Sequence, residues 1–246
     1  KKHHERLELG QQLAGSGLPV EFVGHPLVDA VAALRLAPPP ALPWSGAPRL
    51  ALLPGSRPVE IDRHPPLLLD AARRLEREFP RLSCLLAAPT ADAARALDAR
   101  LAAHAGPRPA RLAVVGGQTR ALLGQADAAA VASGTATVET ALMRCPMVIL
   151  YRMAPLTFAL AKRLVRVPHI GMVNLIAGRE LCPELVQDAL NADTLAAALR
   201  PLLAPTPERT RMLEGLDAVI AKLGEPGAET RTAAAIRAAL DALPAP

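Results

Sequence analysis

Short apolar runs alternate with longer amphipathic ones along most of this chain, and that alternation limits the fold more than any other feature. Runs rich in Leu, Val and Ala occur at 20–23 (VEFV), 49–53 (RLALL), 82–87 (LSCLLA), 111–115 (RLAVV), 127–132 (DAAAVA) and 147–151 (MVILY). Each has strand length and is apolar at successive positions, as a strand buried on both faces must be. The segments between them have helical periodicity. In 61–79, Leu67, Leu68, Ala71, Ala72, Leu75 and Phe79 share one face, with Arg73, Arg74, Glu76, Arg77 and Glu78 outside it. Similar patterns cover 91–105, 118–125, 135–144 and 155–166. The alternation predicts an α/β, Rossmann-like doubly wound parallel sheet with right-handed crossovers and helices on both faces.

Two stretches break the rhythm. The Pro-rich segment 38–48 (PPPALPWSGAP) reads as a loop or linker. From 193 onward no strand candidate remains, and helices are expected at 193–203, 207–223 and 227–243, punctuated by Pro201, Pro205, Pro207 and Pro226. Residues 1–20 read as the tail of something longer, since the chain opens on Lys1 rather than Met.

Composition removes several function classes. No run of ~18 apolar residues is present to span a bilayer, and no apolar h-region opens the chain as a secretory signal would. The net charge of +5 comes with 28 basic residues, of which only Lys1, Lys2, Lys162 and Lys222 are lysines. Arginine suits bidentate phosphate recognition, although an Ala-, Arg- and Pro-rich composition accounts for it equally well. Trp44, Tyr151, Phe22, Phe79 and Phe158 are the only aromatic residues, too few for a base-stacking surface, so nucleic acid is not an expected partner. Cys84, Cys145 and Cys182 lie far apart without metal-ligand spacing, which points to a reducing, cytoplasmic setting and no structural metal. Cys84, inside an apolar run, is expected to be a buried inert thiol.

In a doubly wound sheet the ligand crevice lies outside the carboxyl ends of the strands. After 49–53 comes Pro54-Gly55-Ser56-Arg57. Gly55 permits close backbone approach, Ser56 offers a hydroxyl and Arg57 a guanidinium fork for a phosphate. An ordinary turn carrying a surface arginine reads the same way. After 127–132 comes Ser133-Gly134-Thr135-Ala136-Thr137-Val138-Glu139, where free N–H groups at a helix start suit an anion. Glu139, on the first turn, can accept ribose hydroxyls or simply complement the helix dipole. After 147–151 come Tyr151 and Arg152, and further on the polar cluster Asn174, Gly178, Arg179 and Glu180, which reads as a contact loop or a solvated one. GxGxxG, Walker, GxSxG and HExxH motifs are all absent. His25 sits in a turn, Asp29 and Asp62 have no evident partner, and no residue stands out as a general base.

The strings FVGHPLVDA (22–30), LALLPGSRPVEI (50–61), ASGTATVETALMRCPMVILYRM (132–153) and LAKRLVRVPHIGMVNLIAGRELCPEL (160–185) resemble lipid-A-disaccharide synthases. These are bacterial inverting glycosyltransferases of the GT-B fold. The resemblance implies a reaction between UDP-2,3-diacylglucosamine and 2,3-diacylglucosamine 1-phosphate, giving a β-1,6-linked disaccharide 1-phosphate and UDP, without cofactor or metal. It implies that 1–20 is a remnant of the acceptor domain, 21–192 the nucleotide-sugar domain and 193–246 a set of C-terminal helices packing back across the cleft. Gly55, Ser56 and Arg57 would face the diphosphate, with Ser133, Gly134, Thr135 and Thr137 capping it. Glu139 would take the ribose, and Tyr151, Arg152, Asn174, Gly178, Arg179 and Glu180 would contact the donor. Pro58 departs from the glycine or other residue common in the family. The resemblance implies a catalytic base in the N-terminal domain, so the catalytic residue is unknown here and this fragment is expected to be inactive alone. The full protein would sit in the cytoplasm against the inner membrane, where 155–166 is either an interfacial helix or one packed on the sheet; its oligomeric state is open. Alternatives of the same architecture are a UDP-N-acetylglucosamine 2-epimerase and the peptidoglycan N-acetylglucosaminyl transferase. A non-catalytic nucleotide-binding fragment is a third.

Overall fold

In a computed structural model, which describes residues 20–36, 38–103, 108–153 and 168–241, the alternating runs become a six-stranded parallel sheet. Its strands are β1 (Arg49–Leu53), β2 (Ser83–Ala88), β3 (Leu112–Gly116), β4 (Ala128–Ala132), β5 (Met147–Tyr151) and β6 (Glu184–Val186), in the order β3-β2-β1-β4-β5-β6. Leu50 of β1 is registered with Cys84 of β2 on one side and Ala128 of β4 on the other. The chain moves outward from β1 in one direction through β2 and β3, then resumes on the opposite side at β4. Between β1 and β4, therefore, successive crossovers diverge and open a crevice at the carboxyl ends.

Burial explains why the runs are continuous. Leu50, Ala51 and Leu52 of β1, Cys84, Leu85 and Leu86 of β2, and Ala128 to Val131 of β4 are wholly inaccessible. Fully burying a leucine side chain in this way contributes about 1.5–3 kcal/mol. The covering helices are α2 (Pro58–Glu76), α3 (Ala91–Ala103), α4 (Thr119–Leu123), α5 (Ala136–Leu142), α6 (Met172–Ala177), α7 (Ala192–Leu199) and α8 (Pro207–Lys222). Helix α2 starts at Pro58, where a missing N–H costs nothing, and buries Leu68, Leu69, Ala71, Ala72 and Leu75. The Pro-rich stretch before β1 is tied down locally. Ser45 N donates to Ser83 Oγ at 3.0 Å, Gln125 Nε2 donates to the Pro40 carbonyl at 2.9 Å, and Arg49 stacks over Trp44.

The described residues divide into two compact units, one spanning Pro39–Asp217 and carrying the whole sheet, the other joining the residues up to Pro38 to those from Ala218 onward. Within the second unit lie α1 (Pro26–Arg35) and α9 (Ala228–Asp241). The Asp29 carboxylate accepts from Gly227 N and from Glu229 N, capping the start of α9. Those bonds, led by the one from Gly227, hold its pKa below the usual carboxylate value.

The VEFV run is not a strand. Residues 20–25 are irregular, Val20 and Phe22 are exposed, and the polar backbone is used elsewhere: Arg231 Nε donates to the Val23 carbonyl at 2.8 Å, and His25 N donates to Leu223 O at 3.0 Å. An apolar run becomes a strand only where a neighbouring strand takes its N–H and C=O groups, and this one has none among the described residues. His25 caps α1, its Nδ1 accepting from Leu27 N at 3.2 Å. Asp62, without evident partner in the sequence, pairs with Arg100 at 2.7 Å. Strand β6 escapes the sequence pattern because it has three half-buried residues. Segment 155–166 lies outside the described residues. Among the described residues no helix is long and apolar enough to cross a membrane.

Candidate functional site

The loops after β1, β2, β3 and β4 converge at the switch point on a cavity of about 440 Å³. Leu53 to Arg57, Glu60, Ala87 to Pro89, Thr119, Ala132 to Ala136 and Glu139 line it. Its size falls within the usual ~300–1,000 Å³ of small-ligand sites. Gly55, Ser56, Arg57, Ser133, Gly134, Thr135 and Glu139, singled out from the sequence, are therefore brought together in one place.

The first loop is held by Glu60, at the third position of α2. Its Oε2 accepts from Ser56 N at 3.0 Å and Arg57 N at 3.1 Å, and its Oε1 accepts from Arg57 Nη1 at 3.1 Å. This is a capping box that satisfies N–H groups the helix leaves open. The Arg57 side chain is 71% exposed, so the rest of its fork faces solvent at the cavity rim. Gly55 has φ +110, and a Cβ there would lie 2.1 Å from Glu60 Oε2. Only glycine lets the carboxylate sit so close under the loop.

His64, buried in α2, fixes the loop from below. Its Nδ1 is 2.5 Å from the Pro54 carbonyl, which can only accept, so Nδ1 carries the proton and Nε2 is the bare nitrogen. Nε2 is buried and has no partner among the described residues. Burial pushes the His64 pKa down, opposed by the Pro54 bond. The folded state thus resists a proton that the unfolded chain takes up below about 6.5. The stability this neutral histidine contributes is complete above that pH and is lost as the pH falls through it. The urea midpoint is expected to drop between pH 7 and pH 5, and His64→Gln to flatten that part of the profile.

The second loop turns at Gly134, with φ +147. Thr137 Oγ1 donates to Gly134 O at 2.8 Å and is fully buried, so Thr137 braces the loop and does not line the cavity. Ser133 lines the cavity, but its hydroxyl donates to Ile170 O at 2.8 Å. Glu139 is met by Arg120, whose Nε and Nη2 donate to its Oε1 at 3.0 and 2.8 Å.

The remaining candidates lie apart from this cavity. Asn174 is wholly buried and fully used: Nδ2 donates to Cys182 O at 2.7 Å and to Glu184 Oε1 at 2.8 Å, while Oδ1 accepts from Leu181 N at 3.0 Å and Cys182 N at 2.9 Å. Glu184 also accepts from Ile170 N and Gly171 N, each at 2.9 Å, closing the start of α6. Gly178 ends α6 in the left-handed conformation, φ +74. Arg179 and Glu180 are exposed and Tyr151 is half-buried. Arg152 donates to the carbonyls of Gln187 and Leu190 and lines, with Arg63, Met153, Gln187 and Asp188, a second cavity of about 380 Å³.

Sequence reading missed Glu60, Pro89, Thr119 and Arg120. The first carries a legible signal, an acidic residue three positions after a helix cap. Pro89 and Thr119 follow β2 and β3, where the carboxyl-end rule applies as it does to β1 and β4. Arg120 carries none. All three cysteines are buried, which raises their thiol pKa, to about 12 for Cys84 and Cys182. Among the described residues no cluster of His, Cys, Asp and Glu could hold a metal ion.

Several solved structures share the fold. A Listeria monocytogenes protein described as a candidate UDP-N-acetylglucosamine 2-epimerase aligns with a TM-score of 0.62 at 16% identity, over 95% of this chain and 58% of its own. The S. aureus MnaA–UDP co-structure aligns with a TM-score of 0.58 at 14% identity, over 95% and 57%. At these identities the likeness establishes architecture alone. Sequence relatives are more specific. The lipid-A-disaccharide synthase of Anaeromyxobacter dehalogenans (strain 2CP-C) is 40% identical over 229 residues, 89% of this chain and 57% of that protein. That of Pseudomonas putida (strain W619) is 44% identical over 200 residues, 80% and 52% respectively. The chain spans about half the length of the curated relatives it matches. The lipid-A-disaccharide synthetase family pattern runs over residues 13–237, from ahead of β1 into α9, and so the chain belongs to that family.

Proposed function

We propose that this chain supplies the UDP-sugar-binding half of a lipid-A-disaccharide synthase, transferring diacylglucosamine from UDP to diacylglucosamine 1-phosphate. The observation that carries this reading is the cavity at the switch point, where Ser56, Arg57, the Gly134–Ala136 turn and Glu139 meet in a member of this family. The diphosphate lies between the start of α2 and that turn, and the ribose lies toward Glu139. UDP leaves with growing charge on its β-phosphate. The open part of the Arg57 fork stabilises that charge more in the transition state than in the ground state. Asn174, Gly178, Arg179 and Glu180 shape the donor side through the loop that Asn174 folds, and Ser133 links this loop to the cavity through Ile170. We assign the base and the acceptor site to the part of the full-length protein that this chain does not span. Both substrates are lipids, so the complete enzyme works at the cytoplasmic surface of the inner membrane.

Thermal unfolding with UDP, ADP and GDP tests the reading. Saturation at 100 times Kd adds about 2.7 kcal/mol to the stability of a binding-competent fold. UDP is expected to raise the melting temperature more than ADP or GDP, and Arg57→Ala to remove most of that rise. No protection by UDP, together with an Arg57→Ala variant indistinguishable from wild type, would sink the proposal.

A further inference from the structure

Glu139 poses an electrostatic problem. It lines the same cavity as Arg57 and the Gly134 turn, so a bare carboxylate would face any anionic ligand there. Arg120, on the helix after β3, answers it. Two of its nitrogens converge on the single oxygen Oε1, and the pair is partly sheltered, with side-chain exposures of 37% for Arg120 and 19% for Glu139. Arg120 does not line the cavity, whereas its neighbour Thr119 does. The guanidinium thus grips the carboxylate from outside the site. It neutralises the charge and fixes the rotamer, and Oε2 stays without a partner among the described residues.

We infer that Arg120 is a positioning residue that clamps one oxygen of Glu139 so that the other is presented to a vicinal diol of the ligand, the ribose of a nucleoside diphosphate. The inference rests on the nucleotide reading of the cavity. It lets the carboxylate accept hydrogen bonds from hydroxyls while its charge is offset beside a diphosphate. Two donors meeting one oxygen hold that oxygen in place more firmly than an ammonium point charge can.

Titration calorimetry of this chain with UDP and with 2′-deoxy-UDP decides it, because a merely structural ion pair would affect both nucleotides alike. Wild type is expected to prefer UDP by about tenfold, the value of one charged hydrogen bond to a hydroxyl. Arg120→Ala is expected to bring that preference close to one, and Arg120→Lys to restore part of it. Glu139→Ala should also abolish the preference, and adding Arg120→Ala to it should cause no further change in the ratio. If Arg120→Ala weakens both nucleotides by the same factor and leaves the preference at its wild-type value, the positioning role is wrong. If Arg120→Ala does not fold, Arg120→Lys carries the test, and an unchanged preference there overturns the inference. Wild type that binds neither nucleotide rejects the nucleotide reading itself, an outcome distinct from either of these.

Discussion

Asn174→Ala is expected to destabilise the sheet-bearing unit by about 3–4 kcal/mol, the largest stability effect of any single polar truncation among the residues singled out from the sequence. The side chain uses both donors and both acceptor positions inside the protein, bonding Leu181 N, Cys182 N, Cys182 O and Glu184. Removal strands three backbone groups in a buried setting, each worth roughly 1–3 kcal/mol when unsatisfied, and a water entering the vacated space recovers part of that. Asn174→Asp is a sharper probe. It keeps the acceptor toward Leu181 and Cys182 but sets a second carboxylate oxygen against the Glu184 carboxylate and the Cys182 carbonyl, so it too should lose stability. Urea unfolding at pH 7 reads both. An Asn174→Ala midpoint within error of wild type would show that the segment 170–184 is held by something else.

Gly55→Ala is expected to weaken UDP binding by more than tenfold while leaving the core strands in place, the largest binding effect. Two penalties coincide. The left-handed backbone at φ +110 disfavours any Cβ, by roughly 1–2 kcal/mol, and the new methyl would meet Glu60 Oε2. Glu60 must then leave the cap or the loop must rotate. Either way Ser56 N and Arg57 N lose their acceptor and Arg57 loses its anchor. Calorimetric titration with UDP measures it, and Arg57→Lys should fall between wild type and Gly55→Ala, retaining charge without the fork. Equal affinities for wild type and Gly55→Ala would mean that the α2 loop does not touch the diphosphate.

Much of the scaffold was legible in the residues. RLALL and MVILY coincide with β1 and β5, and the runs at 82–87, 111–115 and 127–132 fall within one residue of β2, β3 and β4. Strands β1, β2, β4 and β5 are almost wholly buried, so nearly every position is selected for apolarity and the run stands out, whereas β3 at the sheet edge is mostly half-buried. VEFV is also largely apolar but has no adjacent strand among the described residues, and β6 has an adjacent strand but too few residues to show a pattern. The polar segment 174–180 was harder still. Half of it is the end of α6, and its asparagine serves the backbone around it.

The sequence by itself determined the class of fold, the edge of the sheet where the cavity lies and the family, because each depends on local pattern or on strings of consecutive residues. What only the tertiary structure decided is how each polar group is spent. Thr137 and Asn174 turn inward to satisfy buried backbone, Ser133 is tied to Ile170, and Glu139 is gripped by an arginine 19 residues earlier on a different helix. Hydrogen-bond partners across crossovers are set by packing of the sheet, which brings distant residues within 3 Å without leaving any periodicity in the chain between them.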